Sequence, residues 1–95
     1  MGIVLGIDIG GSTTKICGFR REGDLITPLS VKADDPISSV YGAFGKFTSL
    51  HKIALSEVEC VMVTGVGSSF IGEDLYGIPT HHVREFDCIA LGGQY

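Results

Sequence analysis

The sequence predicts an α/β domain: a five-stranded mixed sheet, its first three strands antiparallel, with helices on both faces. Three observations carry this. Apolar, β-branched runs bounded by turn residues fill the first third of the chain. A stretch of helical period with its own start signal follows. After it, strands and helical segments alternate, as parallel strands joined by crossovers require.

Taken in order, Ile3 to Ile9 is apolar except at Gly6 and Asp8, which fits a buried central strand. Gly10-Gly11-Ser12 signals a turn, and Thr13 to Arg20 resumes as a second strand. A charged turn, Arg20 to Asp24, leads to a third strand from Leu25 to Ala33. Pro28 removes a ladder donor there, so this strand is expected at an edge. Asp35-Pro36 is a helix start, a capping carboxylate before proline at the first helical position. Ile37, Val40, Tyr41, Phe44 and Phe47 then share one helical face. Gly42 and Gly45 weaken that helix by about 1 kcal/mol each, so close packing on the sheet is expected at both. Val58 to Val63 is a fourth strand, parallel because a helix precedes it. A short helix from Phe70 to Tyr76, a fifth strand from Thr80 to Val83 and a last helix from Arg84 to Tyr95 complete the reading.

Length and composition bound the rest. At 95 residues the chain holds one core and not two domains with a cleft between them. A net charge of −4 argues against nucleic acid and against a membrane surface as partner. No apolar run approaches the roughly 20 residues of a membrane span, and the start lacks the basic region of a signal peptide. A cytoplasmic protein is expected. Cys17, Cys60 and Cys88 are odd in number and form no C-x-x-C, which suits a reducing compartment. Cys17 and Cys60 read as small core hydrophobes. Glycine stands out at 14 of 95 residues, twice the average of about 7%.

The strongest local signal is Asp8-Ile9-Gly10-Gly11-Ser12-Thr13-Thr14-Lys15. A phosphate needs converging amide donors with no β-carbon in the way, and a Gly10-Gly11-Ser12 turn supplies them. The hydroxyls of Ser12, Thr13 and Thr14 add donors, and Lys15 neutralises charge. Asp8, just before the turn, suits Mg²⁺ held through water, since magnesium dehydrates reluctantly. The plain alternative is a hairpin with a polar tip, but an acid at the end of an apolar strand is costly without a role. Two other phosphate motifs fail. Gly6 to Gly11 has Walker spacing, yet Ser12 stands where lysine is needed. Gly65-Val66-Gly67 begins a dinucleotide fingerprint, yet Phe70 replaces its third glycine. His81 and His82 are neighbours on a strand, face opposite ways, and suit a shared metal poorly. Glu85 lies where the fifth strand gives way to the last helix, and it either caps that helix or faces the turn as a general base.

By topology, the order βββαβαβα resembles a ribonuclease H-like (actin-like ATPase) domain, whose ligands gather at the carboxyl ends of the central strands. Asp8, the Gly10-Gly11 turn, Thr64-Gly65 and Glu85 would share that edge. More specifically, residues 5–16 (LGIDIGGSTTKI), 31–37 (VKADDPI), 41–47 (YGAFGKF), 61–69 (VMVTGVGSS) and 76–86 (YGIPTHHVREF) together resemble type II pantothenate kinases. The first motif alone belongs to the wider actin, sugar-kinase and acetate-kinase superfamily; the segments at 41–47 and 76–79 narrow it. The resemblance implies transfer of the γ-phosphate of ATP to pantothenate, with Mg²⁺. Asp8 to Lys15 would then be the first phosphate loop and Glu85 the catalytic base. It further implies a homodimer and a second domain with another phosphate loop and the adenosine site. Residues 1–95 are therefore expected to be the amino-terminal domain of a longer kinase, inactive alone. Two alternatives stand beside this. One is the ATPase activator of 2-hydroxyacyl-CoA dehydratases, an iron–sulfur protein with a similar start and T-G-x-G loop. The other is a non-catalytic nucleotide-binding domain.

Overall fold

Ile3, Leu5, Ile7 and Ile9 alternate along the first strand and are all buried on one face of the sheet. In a computed structural model, which describes residues 2–20, 24–32 and 35–84, this strand, β1 (Ile3–Ile9), lies at the centre of a five-stranded sheet. It pairs antiparallel with β2 (Thr13–Arg20), which pairs antiparallel with β3 (Leu25–Lys32). On its other side it pairs in parallel with β4 (Val58–Thr64), followed by the short parallel β5 (Thr80–His82). The spatial order is β3-β2-β1-β4-β5, so Pro28 sits on an edge strand, as its missing donor requires.

One helix, α1 (Pro36–Leu50), crosses between β3 and β4. Asp35 caps it: the Ser38 amide donates to Asp35 Oδ2 at 2.9 Å, and Pro36 opens the first turn. Val40, Ala43, Phe44 and Phe47 are buried against Ile7, Ile9, Ile16, Val61 and Val63 in one core cluster. A serial apolar face of this kind carries most of a helix's stability in a folded domain. Tyr41 and Phe44 pack against Tyr76, with ring centroids 5.2 and 4.9 Å apart.

Several expectations change. Gly42 and Gly45 do not touch the sheet: both are exposed, and a β-carbon at either would meet nothing within 4 Å. They lie on the outward side of α1, off the stripe that holds Val40, Phe44 and Phe47. Phe70 to Tyr76 is not a helix. Instead a 3₁₀ turn spans Val66–Phe70, and Leu75 to Ile78 forms a tight bridge-closed turn with Tyr76 and Gly77 at positive φ. Asp74 accepts from the Thr80 amide and Thr80 Oγ1 accepts from the Leu75 amide, bonds that compete with helix formation. Cys17 is buried as expected, but it is disulfide-bonded, which its reading as a small hydrophobe in a reducing compartment did not include. The expected last helix, with Glu85 and Cys88, lies outside the described residues. No helix among the described residues is long and apolar enough to cross a membrane.

Candidate functional site

The three parallel strands β1, β4 and β5 run the same way, so their carboxyl ends share one edge. Asp8 reaches that edge on β1. Lys15 on β2 stands directly opposite it and Thr64 on β4 lies beside it. Residues paired in register project to the same face of a sheet. Asp8, Lys15 and Thr64 therefore form a polar row on the face away from α1. Lys15 is exposed, Asp8 half-buried and Thr64 buried. Among the described residues nothing hydrogen-bonds or pairs with the Asp8 carboxylate.

Beside Asp8 the chain turns. The Gly10 amide donates to the Thr13 carbonyl at 2.9 Å and closes the hairpin, leaving Gly11, Ser12 and Thr13 exposed at its tip. A β-carbon at Gly10 would stand 2.9 Å from that same carbonyl oxygen, whereas Gly11 borders open space. Gly11, Ser12, Thr13 and Lys15 thus lie open beside Asp8, while Gly10 is half-buried and its amide, expected as a phosphate donor, is spent on closing the turn. Thr14 does not join them. It is buried, it pairs with Ile9 on the α1 face, and its hydroxyl is engaged by Ser39.

A second glycine closes the site from the β4 side. Gly65 has φ +97°, and a β-carbon there would come 2.4 Å from the Ile9 carbonyl oxygen and 2.7 Å from Asp8 Oδ1. Only glycine lets β4 end against the carboxylate in this way. The Thr64 hydroxyl turns outward to the next strand end and donates to the Arg84 carbonyl. The Val83 amide donates to the Val63 carbonyl at 2.9 Å, so the chain leaving β5 stays on the same edge up to Arg84. Glu85 follows and lies outside the described residues.

The segment after Gly65 is a 3₁₀ turn and not an α-helix, which agrees with setting aside the dinucleotide fingerprint. Among the described residues no three His, Cys, Asp or Glu side chains gather as a metal cluster. Within the row of Asp8, Lys15 and Thr64, Asp8 is the carboxylate that could hold a cation. The bonds of Ser39 and Thr64 were missed in the sequence reading. The strand period of two was their only signal, since it separates Thr14 from Thr13 and Lys15.

No protein-family profile matches the chain, and no curated protein matches it. Solved structures do. The chain is similar to the activator of the 2-hydroxyisocaproyl-CoA dehydratase from Clostridium difficile, solved with bound ADPNP, at TM-score 0.68 and 16% identity over 84% of this chain and 29% of that one. It is similar to component A of the (R)-2-hydroxyglutaryl-CoA dehydratase from Acidaminococcus fermentans, at TM-score 0.72 and 15% identity over 88% and 31%. A xyloylose kinase from Brucella ovis matches at TM-score 0.57 and 18% identity over 66% and 16%. The chain spans less than a third of each of these proteins. At such identities the likeness establishes the fold alone: a mixed five-stranded sheet of ribonuclease H-like (actin-like) topology.

Proposed function

We propose that this chain is the phosphate-binding amino-terminal domain of an ATP-dependent kinase whose acceptor is pantothenate. One observation carries the nucleotide part of this reading. Asp8 stands unpaired among the described residues, opposite Lys15 and beside an open Gly10-Gly11-Ser12 turn, at the strand edge where this fold class binds ligands. The bound ADPNP of one fold neighbour supports the same assignment. Pantothenate as acceptor rests on the motifs at 41–47 and 76–86.

The residues present suit a magnesium ion that keeps most of its water. A single carboxylate, with the space beside it kept clear at Gly65, matches a cation bound by one side chain and the substrate's phosphates. Asp8 would hold it, and its chemistry there is to neutralise charge on the phosphate oxygens. The Gly10 amide is taken up by the Thr13 carbonyl, so the amides of Gly11 and Ser12 and the hydroxyls of Ser12 and Thr13 would orient the phosphates. Lys15 would stabilise the charge that develops during transfer. Glu85 would accept the proton of the acceptor hydroxyl, a role worth about 10²–10⁴ in rate. Its backbone follows Arg84, whose carbonyl is tied to Thr64 next to Asp8.

A second reading is favoured by one observation, that two of the similar structures belong to 2-hydroxyacyl-CoA dehydratase systems. On that reading the domain is the ATP-hydrolysing part of an activator that carries an iron–sulfur cluster. The test is made on the protein with its second domain. Release of ADP that depends on pantothenate, lost by 10² or more in Glu85→Gln with ATP affinity unchanged, supports the kinase. ATP hydrolysis indifferent to pantothenate, in a protein with iron–sulfur absorbance, supports the activator instead.

A further inference from the structure

Ser39 lies in the first turn of α1, and Thr14 is the second residue of β2 after the glycine turn. Ser39 Oγ donates to Thr14 Oγ1, and both side chains are buried. The helix does not need this hydroxyl, because the Ser39 amide already donates to the Asp35 carbonyl at 2.9 Å. Serine is also a weaker helix former than alanine. Across the strands Thr14 is flanked by Ile9 and Val31, so its surroundings are apolar. An alanine–valine pair would fill nearly the same space without desolvating two hydroxyls, and such replacements are close to neutral for stability. What the polar pair adds is a single defined register between helix and strand.

That register matters because of what adjoins it. Thr13, the neighbour of Thr14, supplies the carbonyl that closes the Gly10 turn. The start of α1 is itself seated on the end of β1. A β-carbon at Gly67 would strike Ile9 Cγ2 at 2.4 Å and Pro36 Cβ at 3.1 Å, so these three residues are in close contact. The first turn of α1 thus meets both ends of the glycine turn, the entry at Ile9 through the packing around Gly67 and the exit at Thr14 through the hydroxyl pair.

We infer that Ser39 is a positioning residue for the phosphate turn, acting through the Thr14 hydroxyl to hold residues 10–13 in the shape that converges their donors. This rests on the reading of that turn as phosphate-binding. The test uses the 95-residue chain, with three variants: Ser39→Ala, Ser39→Thr, and the double variant Thr14→Val/Ser39→Ala. Urea unfolding, backbone order parameters at Gly11 and Ser12, and ATP–Mg²⁺ titration are read on each. The double variant should unfold at the wild-type midpoint, while its turn order parameters fall from about 0.85 toward 0.6. Its affinity for ATP–Mg²⁺ should fall about fivefold, the scale of one hydrogen bond. Ser39→Thr, which keeps the hydroxyl, should bind more tightly than Ser39→Ala. An unchanged turn in the double variant overturns the inference. So does a loss of affinity that merely follows loss of global stability. If wild type binds no ATP–Mg²⁺ while the variants still loosen the turn, the phosphate reading has failed and the hold of Ser39 on the turn stands.

Discussion

A methyl group on residue 65 has nowhere to go: the Ile9 carbonyl and the Asp8 carboxylate occupy its space, and the backbone there has φ +97°. Gly65→Ala should therefore destabilise the fold by about 1–3 kcal/mol in urea unfolding, the usual range for such backbone strain. It should also displace the Asp8 carboxylate, so ATP–Mg²⁺ affinity should fall by more than the lost stability explains. At the other end of the crossover, Asp35 titrates below the ordinary aspartate value because the Ser38 amide and hydroxyl, and then the Ile37 amide, favour its charged form. A carboxyl whose pKa is depressed by folding stabilises the native state above its unfolded pKa, and that contribution is lost as pH falls through the folded value. The stability gap between wild type and Asp35→Ala should be present at pH 7 and close below the usual aspartate range. Asp8, Gly10 and Gly11 could be singled out from sequence because each breaks an apolar or β-branched pattern. Ser39 could not, since a serine in a first helical turn looks like a solvent-facing residue until the packing partner is known.

Element by element, the strands and α1 were readable because their periods and end signals agree with the fold they enter. Asp35-Pro36 marks the helix start, and the run from Ile3 to Ile9 matches a strand covered on both faces. The segment from Phe70 to Tyr76 was not readable as a turn, for a physical reason. Seven residues with Gly72 inside them cannot hold a helix against competing bonds from Asp74 and Thr80, and those bonds arise only when the chain folds back. The α1 glycines offer an element-scale test. Gly42 and Gly45 face open space, so Gly42→Ala and Gly45→Ala should each stabilise the protein by about 0.4–1 kcal/mol. Loss of stability in either would mean that an unseen surface packs there.

For the molecule as a whole, β1 is the pivot, paired on one side with β2 and on the other with β4. Amide exchange should be slowest in β1 and β4 and faster in β3, whose Pro28 edge is open. The chain also keeps Val66 and Phe70 78% and 61% exposed, and exposed apolar surface of this kind favours self-association. Sedimentation at increasing concentration should show a dimer, and a strictly monomeric chain would count against it. The central claim is that the β1–β2 turn binds nucleotide phosphate with a cation at Asp8. Calorimetric titration of this chain with ATP, in magnesium and in chelator, tests it most directly. The account predicts weak binding, well above the micromolar range, that strengthens with magnesium in wild type and loses that magnesium-dependent part in Asp8→Asn. Magnesium dependence that survives Asp8→Asn, or tight binding indifferent to the metal, would contradict it.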